Sequence, residues 1–206
     1  MKNYSIFSFA AAMIIFLLIG NANADATNDA ILSLKRLQAK CQTGISYREY
    51  RSAVGDAKFA VNLFIEGTGA QKYPELATSM NETMKHYEYA GNVWSKRFSE
   101  DAGIVSKGLI PVKSELGMEI KSIYPQVNEI EASGDYRYYY MDSTISVIWG
   151  KASEALQKTE TFNSDIVEKT AGREAPLKNE NADLKSQIDK LKEEIATLKK
   201  SRSKAR

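Results

Sequence analysis

Residues 177–200, LKNENADLKSQIDKLKEEIATLKK, place apolar side chains three and four residues apart and almost nowhere else. With Leu177 at heptad position d, Leu184, Leu191 and Leu198 are also d, while Asn181, Ile188 and Ile195 are a. Such a narrow stripe is a coiled-coil seam, not the wide face of a helix set against a core. An isolated helix of this length, ~36 Å at 1.5 Å per residue, is marginal in water. The segment needs a partner.

The flanking positions say which partner. Isoleucine at a with leucine at d favours two parallel strands, and an asparagine at a pairs best with another asparagine in register. Every e position is lysine (Lys178, Lys185, Lys192, Lys199), and g carries Glu180, Gln187 and Glu194. A parallel dimer sets Glu180 against Lys185 and Glu194 against Lys199 of the second copy. An antiparallel pair would oppose lysines. Each exposed pair contributes only a few tenths to ~1 kcal/mol, so its value lies in choosing orientation. The pattern resembles the leucine-zipper class of coiled coils, a structural class with no activity attached. The competing expectation is a solvated helix that folds back or frays.

The amino-terminal end predicts export. Lys2 precedes an apolar run from Ile6 to Ile19 that is shorter than the ~20 residues of a spanning helix. Small residues at Ala22 and Ala24 then suit a signal peptidase, with Ala24 and Ala26 repeating the pattern. Residues 1–24 are therefore expected to be a signal peptide cut after Ala24, or alternatively after Ala26. No later segment is apolar enough to span a bilayer, so the mature chain is expected to be soluble, periplasmic or extracellular.

Between the leader and the tail the sequence reads as helices. Thr27 or Asn28 can cap a first helix with the stripe Ile31, Leu34, Leu37 and Cys41, ended by Gly44. Ser46 and Glu49 form a capping-box pattern ahead of Tyr47, Tyr50, Val54, Ala57, Val61 and Phe64, which Gly67 and Gly69 stop. Pro74 opens a third helix with Leu76, Met80, Met84, Tyr87, Gly91, Trp94 and Phe98 on one face. Residues 99–134 are interrupted by glycine and proline, with a short helical candidate at Val112, Leu116, Ile120 and Ile123. Ser133 or Asp135 can cap a last helix through Met141, Ile145, Ile148, Trp149, Ala152 and Leu156. These stripes predict an all-α protein: an antiparallel helical bundle over 25–172, a linker at 173–176 where Gly172 ends one helix and Pro176 opens the next, a coiled coil over 177–200, and a basic disordered tail at 201–206.

Charge follows that division. From Leu177 onward there are 9 Lys/Arg against 5 Asp/Glu, a balance of +4, whereas Asp25 to Pro176 carries 18 against 21, a balance of −3. Five cations in the last eight residues suggest contact with an anionic envelope surface, or simply a solubilising end. The basic stretch has no interleaved aromatics, so no nucleic-acid partner is expected.

Chemistry is sparse. His86 is the single histidine and Cys41 the single cysteine. Glu82 lies four residues before His86, not at the three-residue spacing of a di-iron bundle, and no second histidine exists to complete one. No haem-attachment, phosphate-loop or nucleophile-elbow pattern occurs. No catalytic residue, cofactor or metal is therefore expected, and Cys41 reads as a small buried hydrophobe. The tyrosines of Tyr136-Arg137-Tyr138-Tyr139-Tyr140 are a separate puzzle. On a helix, Tyr138, Tyr139 and Tyr140 fan over ~200°, wider than one buried stripe, so at least one should face the 99–134 segment or form a candidate interaction surface.

The functional expectation is an exported, non-enzymatic structural or interaction protein that forms a homodimer through Leu177, Asn181, Leu184, Ile188, Leu191, Ile195 and Leu198. The alternative is an extracytoplasmic helical-bundle sensor or small-ligand carrier.

Overall fold

A computed structural model describes residues 26–99, 103–131 and 136–204. The expected signal peptide, 1–24, lies outside them. The fold is all-α with one small sheet. Helix α1 covers 26–43, α2 Tyr47–Glu66, α3 Thr68–Lys72 and α4 Pro74–Ser95; 3-10 turns follow at Lys96–Phe98 and Val105–Lys107. Then come β1 Leu109–Pro111, α5 Glu115–Ile123, β2 Ile130–Glu131, β3 Arg137–Tyr140 and α6 Met141–Lys204. Two compact units result, the first ending at Thr161 and the second beginning at Phe162.

Local chemistry explains most helix ends. Gly44 has φ +93°, a left-handed conformation that glycine adopts without steric penalty, and it separates α1 from α2. Ser46 accepts the Glu49 amide and the Glu49 carboxylate accepts the Ser46 amide, completing the expected capping box. Pro74 opens α4 as expected. Thr27 and Asn28, by contrast, already lie inside α1 and do not cap it; Gly69 lies within α3 and does not end α2.

Within the first unit α1, α2, α4 and residues 141–161 of α6 form an antiparallel four-helix bundle. Its core includes Leu34 and Leu37 of α1, Tyr50, Ala57, Val61 and Phe64 of α2, Leu76, Met80, Met84 and Tyr87 of α4, and Ile145, Ile148, Ala152 and Leu156 of α6. Phe98, expected on the α4 face, is exposed, because the helix tightens to 3-10 after Ser95 and the stripe rotates away. The buried Ser79 and Thr159 hydroxyls are satisfied locally: Ser79 Oγ lies 2.8 Å from Thr159 Oγ1, joining α4 to α6, and Thr159 donates to the Ala155 carbonyl at 3.1 Å.

The tyrosine stretch departs from expectation. Residues 137–140 are a strand, and α6 begins only at Met141; Ser133 and Asp135 lie outside the described residues. The sheet order is β1-β3-β2, antiparallel throughout, with Ile110 opposite Tyr139 and Ile130 opposite Tyr138. A strand alternates its side chains between faces, so it buries Tyr139 while leaving Tyr140 exposed. Helix α5 packs against β1 so closely that a Cβ on Gly117 would sit 2.1 Å from the Pro111 carbonyl oxygen.

The expected linker at 173–176 is helical, with Pro176 inside α6, and the first compact unit closes at Thr161, not at Gly172. Proline removes one amide donor, yet Gly172 and Pro176 are exposed, so water can satisfy the carbonyl left over. The helix also continues into the expected disordered tail as far as Lys204. Among the described residues no helix is long and apolar enough to cross a membrane.

Two glycines give opposite outcomes on substitution. Gly117→Ala should cost about 1–3 kcal/mol through overpacking against fixed backbone. Gly150→Ala, where an added Cβ meets nothing within 4 Å, should stabilise by about 0.5–1 kcal/mol. Thermal unfolding of both variants checks the close approach of α5 to β1.

Candidate functional site

The seam in the second unit is the first candidate. Leu184, Ile188, Leu191 and Ile195 are 48, 50, 56 and 51 % exposed, and Asn181 is exposed beside them. Side chains of Leu177 and Leu198 lie outside those described. Lys192 pairs within its own helix with Asp189 at 3.0 Å. Among the described residues, Glu180, Lys185 and Glu194 have no ion-pair partner, which leaves their charges available to a second helix. Helical geometry thus sets the apolar stripe and its charged flanks on one continuous face.

The Tyr138–Tyr140 candidate divides. Tyr139 is core, so it is no part of a surface; Tyr138 is half-buried between β1 and β2, and only Tyr140 is exposed. The face that the three rings were expected to offer is occupied by the protein's own 109–131 segment. At the sheet edge Glu129 accepts from Lys121 Nζ at 2.6 Å and from Arg137 at 3.3 Å. The Lys121 contact, reinforced by Arg137, holds the Glu129 carboxyl below its usual range.

His86 is half-buried, with Nδ1 2.8 Å from the Tyr124 hydroxyl. Burial pushes the imidazole pKa below its ordinary value and pushes the Tyr124 hydroxyl up to about 12. Tyr124 therefore stays protonated, and a neutral His86 carrying its proton on Nε2 accepts from it. Glu82, one turn earlier, is exposed. Among the described residues no group of three or more His, Cys, Asp or Glu side chains could hold a metal ion. Cys41 is half-buried in α1, and burial pushes its thiol up to about 12. At neutral pH it is protonated and a poor nucleophile.

The sequence did not reveal a cluster of rings where three helices meet. Tyr50 of α2 donates its hydroxyl to the Tyr87 carbonyl of α4 at 2.7 Å and accepts from Trp149 Nε1 of α6 at 3.1 Å. Trp94 lies 5.6 Å from the Tyr50 ring and 5.8 Å from Trp149; Tyr47 stacks on Phe98 at 4.8 Å. Each ring belonged to a legible helical stripe, but periodicity on one helix carries no information about which rings meet across helices.

The depressed His86 pKa has a definite sign. The unfolded imidazole takes up a proton first as pH falls, so the stability from the neutral form is full above about pH 6.5 and is lost as pH falls through the folded pKa. The melting temperature should drop between about pH 7 and pH 5, with a shallower fall in His86→Gln. Cys41 should react with a disulfide reagent at about pH 8 far more slowly in the folded than in the unfolded protein; rapid native labelling would contradict its burial.

Comparison with protein-family models, with curated proteins and with solved structures gave no match, so the chemistry of this chain rests on its own residues.

Proposed function

We propose that this chain is an exported, non-enzymatic interaction protein that dimerises through a parallel coiled coil over 177–200. One observation carries the reading: Leu184, Ile188, Leu191 and Ile195 repeat at heptad spacing and are all about half exposed on a helix whose other described side chains from 180 onward are exposed. Burying such a side chain contributes ~1.5–3 kcal/mol, and a second copy offers the same stripe in register. Asn181 at a and the charges at Glu180, Lys185 and Glu194 favour the parallel arrangement over its reverse.

Dimerisation supplies avidity. Two first units in one assembly bind a multivalent envelope partner, an anionic surface or a glycan, more tightly than either alone. The first unit also exposes Leu32, Phe59 and Leu63 along α1 and α2, which supports a role in contacts with other molecules.

Light scattering on the mature chain at tens of micromolar should give the mass of a dimer. The paired change Ile188→Asp with Leu191→Asp should give a monomer whose first unit melts unchanged. A wild-type monomer, or a dimer indifferent to both aspartates, would remove this function. Disulfide trapping of Leu184→Cys, a seam position away from the middle of the coil, would report orientation, since only parallel chains bring the two copies of that position together.

A further inference from the structure

The groove between α2 and α4 holds about 570 Å³, within the range of small-molecule sites. Two glycines line it, Gly55 on α2 and Gly91 on α4. Neither has a positive φ, and both lie inside helices, where glycine costs ~1 kcal/mol relative to alanine. Packing does not demand them. A Cβ on Gly55 would meet nothing within 4 Å, and one on Gly91 would meet only the Tyr50 ring at 3.4 Å, an ordinary contact. Side chains at these positions would fill the groove. An open helical glycine alone marks no site, as Gly150 shows; here the two flank one groove whose walls carry a ring and charged side chains.

The walls have a chemical character. Tyr47, Arg51, Gly55 and Lys58 follow one another along one face of α2, so ring, guanidinium, gap and ammonium line the groove in that order. Tyr47 is held by its stack on Phe98 and its contact with Trp94. Lys58 pairs with Glu88 across the groove. Arg51 has no ion-pair or hydrogen-bond partner among the described residues, and neither does the Asn92 side-chain amide. An unpaired guanidinium offers a planar fork of donors that fits a carboxylate bidentately.

We propose that this groove binds an acidic sugar, a uronate residue or short uronate oligosaccharide. Its carboxylate meets Arg51, the apolar face of its ring lies against Tyr47, and its hydroxyls meet Asn92 and the Lys58–Glu88 pair, which both donates and accepts. Hydroxyls, unlike an aryl acid, use both members of that pair; the Lys58 charge offsets the Glu88 carboxylate beside an anionic ligand. The site lies wholly within the first unit and stands independently of coiled-coil pairing.

Trp94 and Trp149 both touch Tyr50, which lines the groove, so tryptophan emission reports on occupancy. The full mature chain is titrated with galacturonate, glucuronate and mannuronate oligosaccharides, with neutral glucose oligomers, and with benzoate. The expected result is a saturable emission change with at least one uronate and none with the neutral sugars or benzoate. Arg51→Met should weaken that binding by about tenfold or more with no change in melting. Gly55→Leu should abolish it while the melting temperature holds or rises, which separates blockage from misfolding. No saturable uronate binding up to about 10 mM would overturn the proposal. So would equal binding of neutral sugars or benzoate, or affinity untouched by both substitutions.

Discussion

The bundle depends on the Tyr50 hydroxyl, a single polar group set among apolar rings. It lies on α2, donates to a carbonyl of α4 and accepts from the indole of Trp149 on α6. A buried hydroxyl left without partners costs ~1–3 kcal/mol, so the two bonds exclude helix registers that apolar packing alone would tolerate. Burial pushes the Tyr50 hydroxyl pKa up, which keeps its proton in place as a donor. Oil-like contacts among leucines, methionines and valines fill the rest of the core, and that geometry fixes which ring faces which.

From that node the other features follow in space. Tyr50 and Trp94 sit at the end of α2 and α4 where Tyr47 stacks on Phe98, and the open groove begins beside them. At the other end of α4, Ser79 and Thr159 join the same helices by a second polar contact. With Tyr50 tying α2 to α4 and to α6, and Ser79–Thr159 tying α4 to α6, each pair among the three helices is bonded directly. The groove between α2 and α4 is therefore bounded by helices held by hydrogen bonds, one of them made by Tyr50 in its own wall, which is how a rigid site is supported.

The small sheet shows where helical reading stops working. Val112, Leu116 and Ile120 have a helical spacing, and α5 does form over Glu115–Ile123, yet Val112 lies in the turn before it and short strands stand beyond the turns on either side. Periodicity over three or four residues cannot separate strand from helix, and β1, β2 and β3 are all that short. Tyr138–Tyr140 carry strong β propensity, but propensity is a weak guide until partner strands exist. Of those partners, residues 109–111 are distant in sequence, while 130–131 stand only a few positions before the strand they pair with.

Sequence alone determined the features whose causes lie within a few residues. The Ser46–Glu49 capping box, the Pro74 start, the Gly44 break, the four bundle stripes and the heptad seam were all legible, because each follows from the turn of one helix or the chemistry of one cap. Tertiary structure alone decided that Tyr139 enters the core, that the bonds of Tyr50 join three helices, and that Gly55 and Gly91 flank open space. It also carried α6 through Pro176, where exposure lets water take up the missing bond. The first three share one reason: they are set by atoms from distant parts of the chain, whose approach no local pattern encodes.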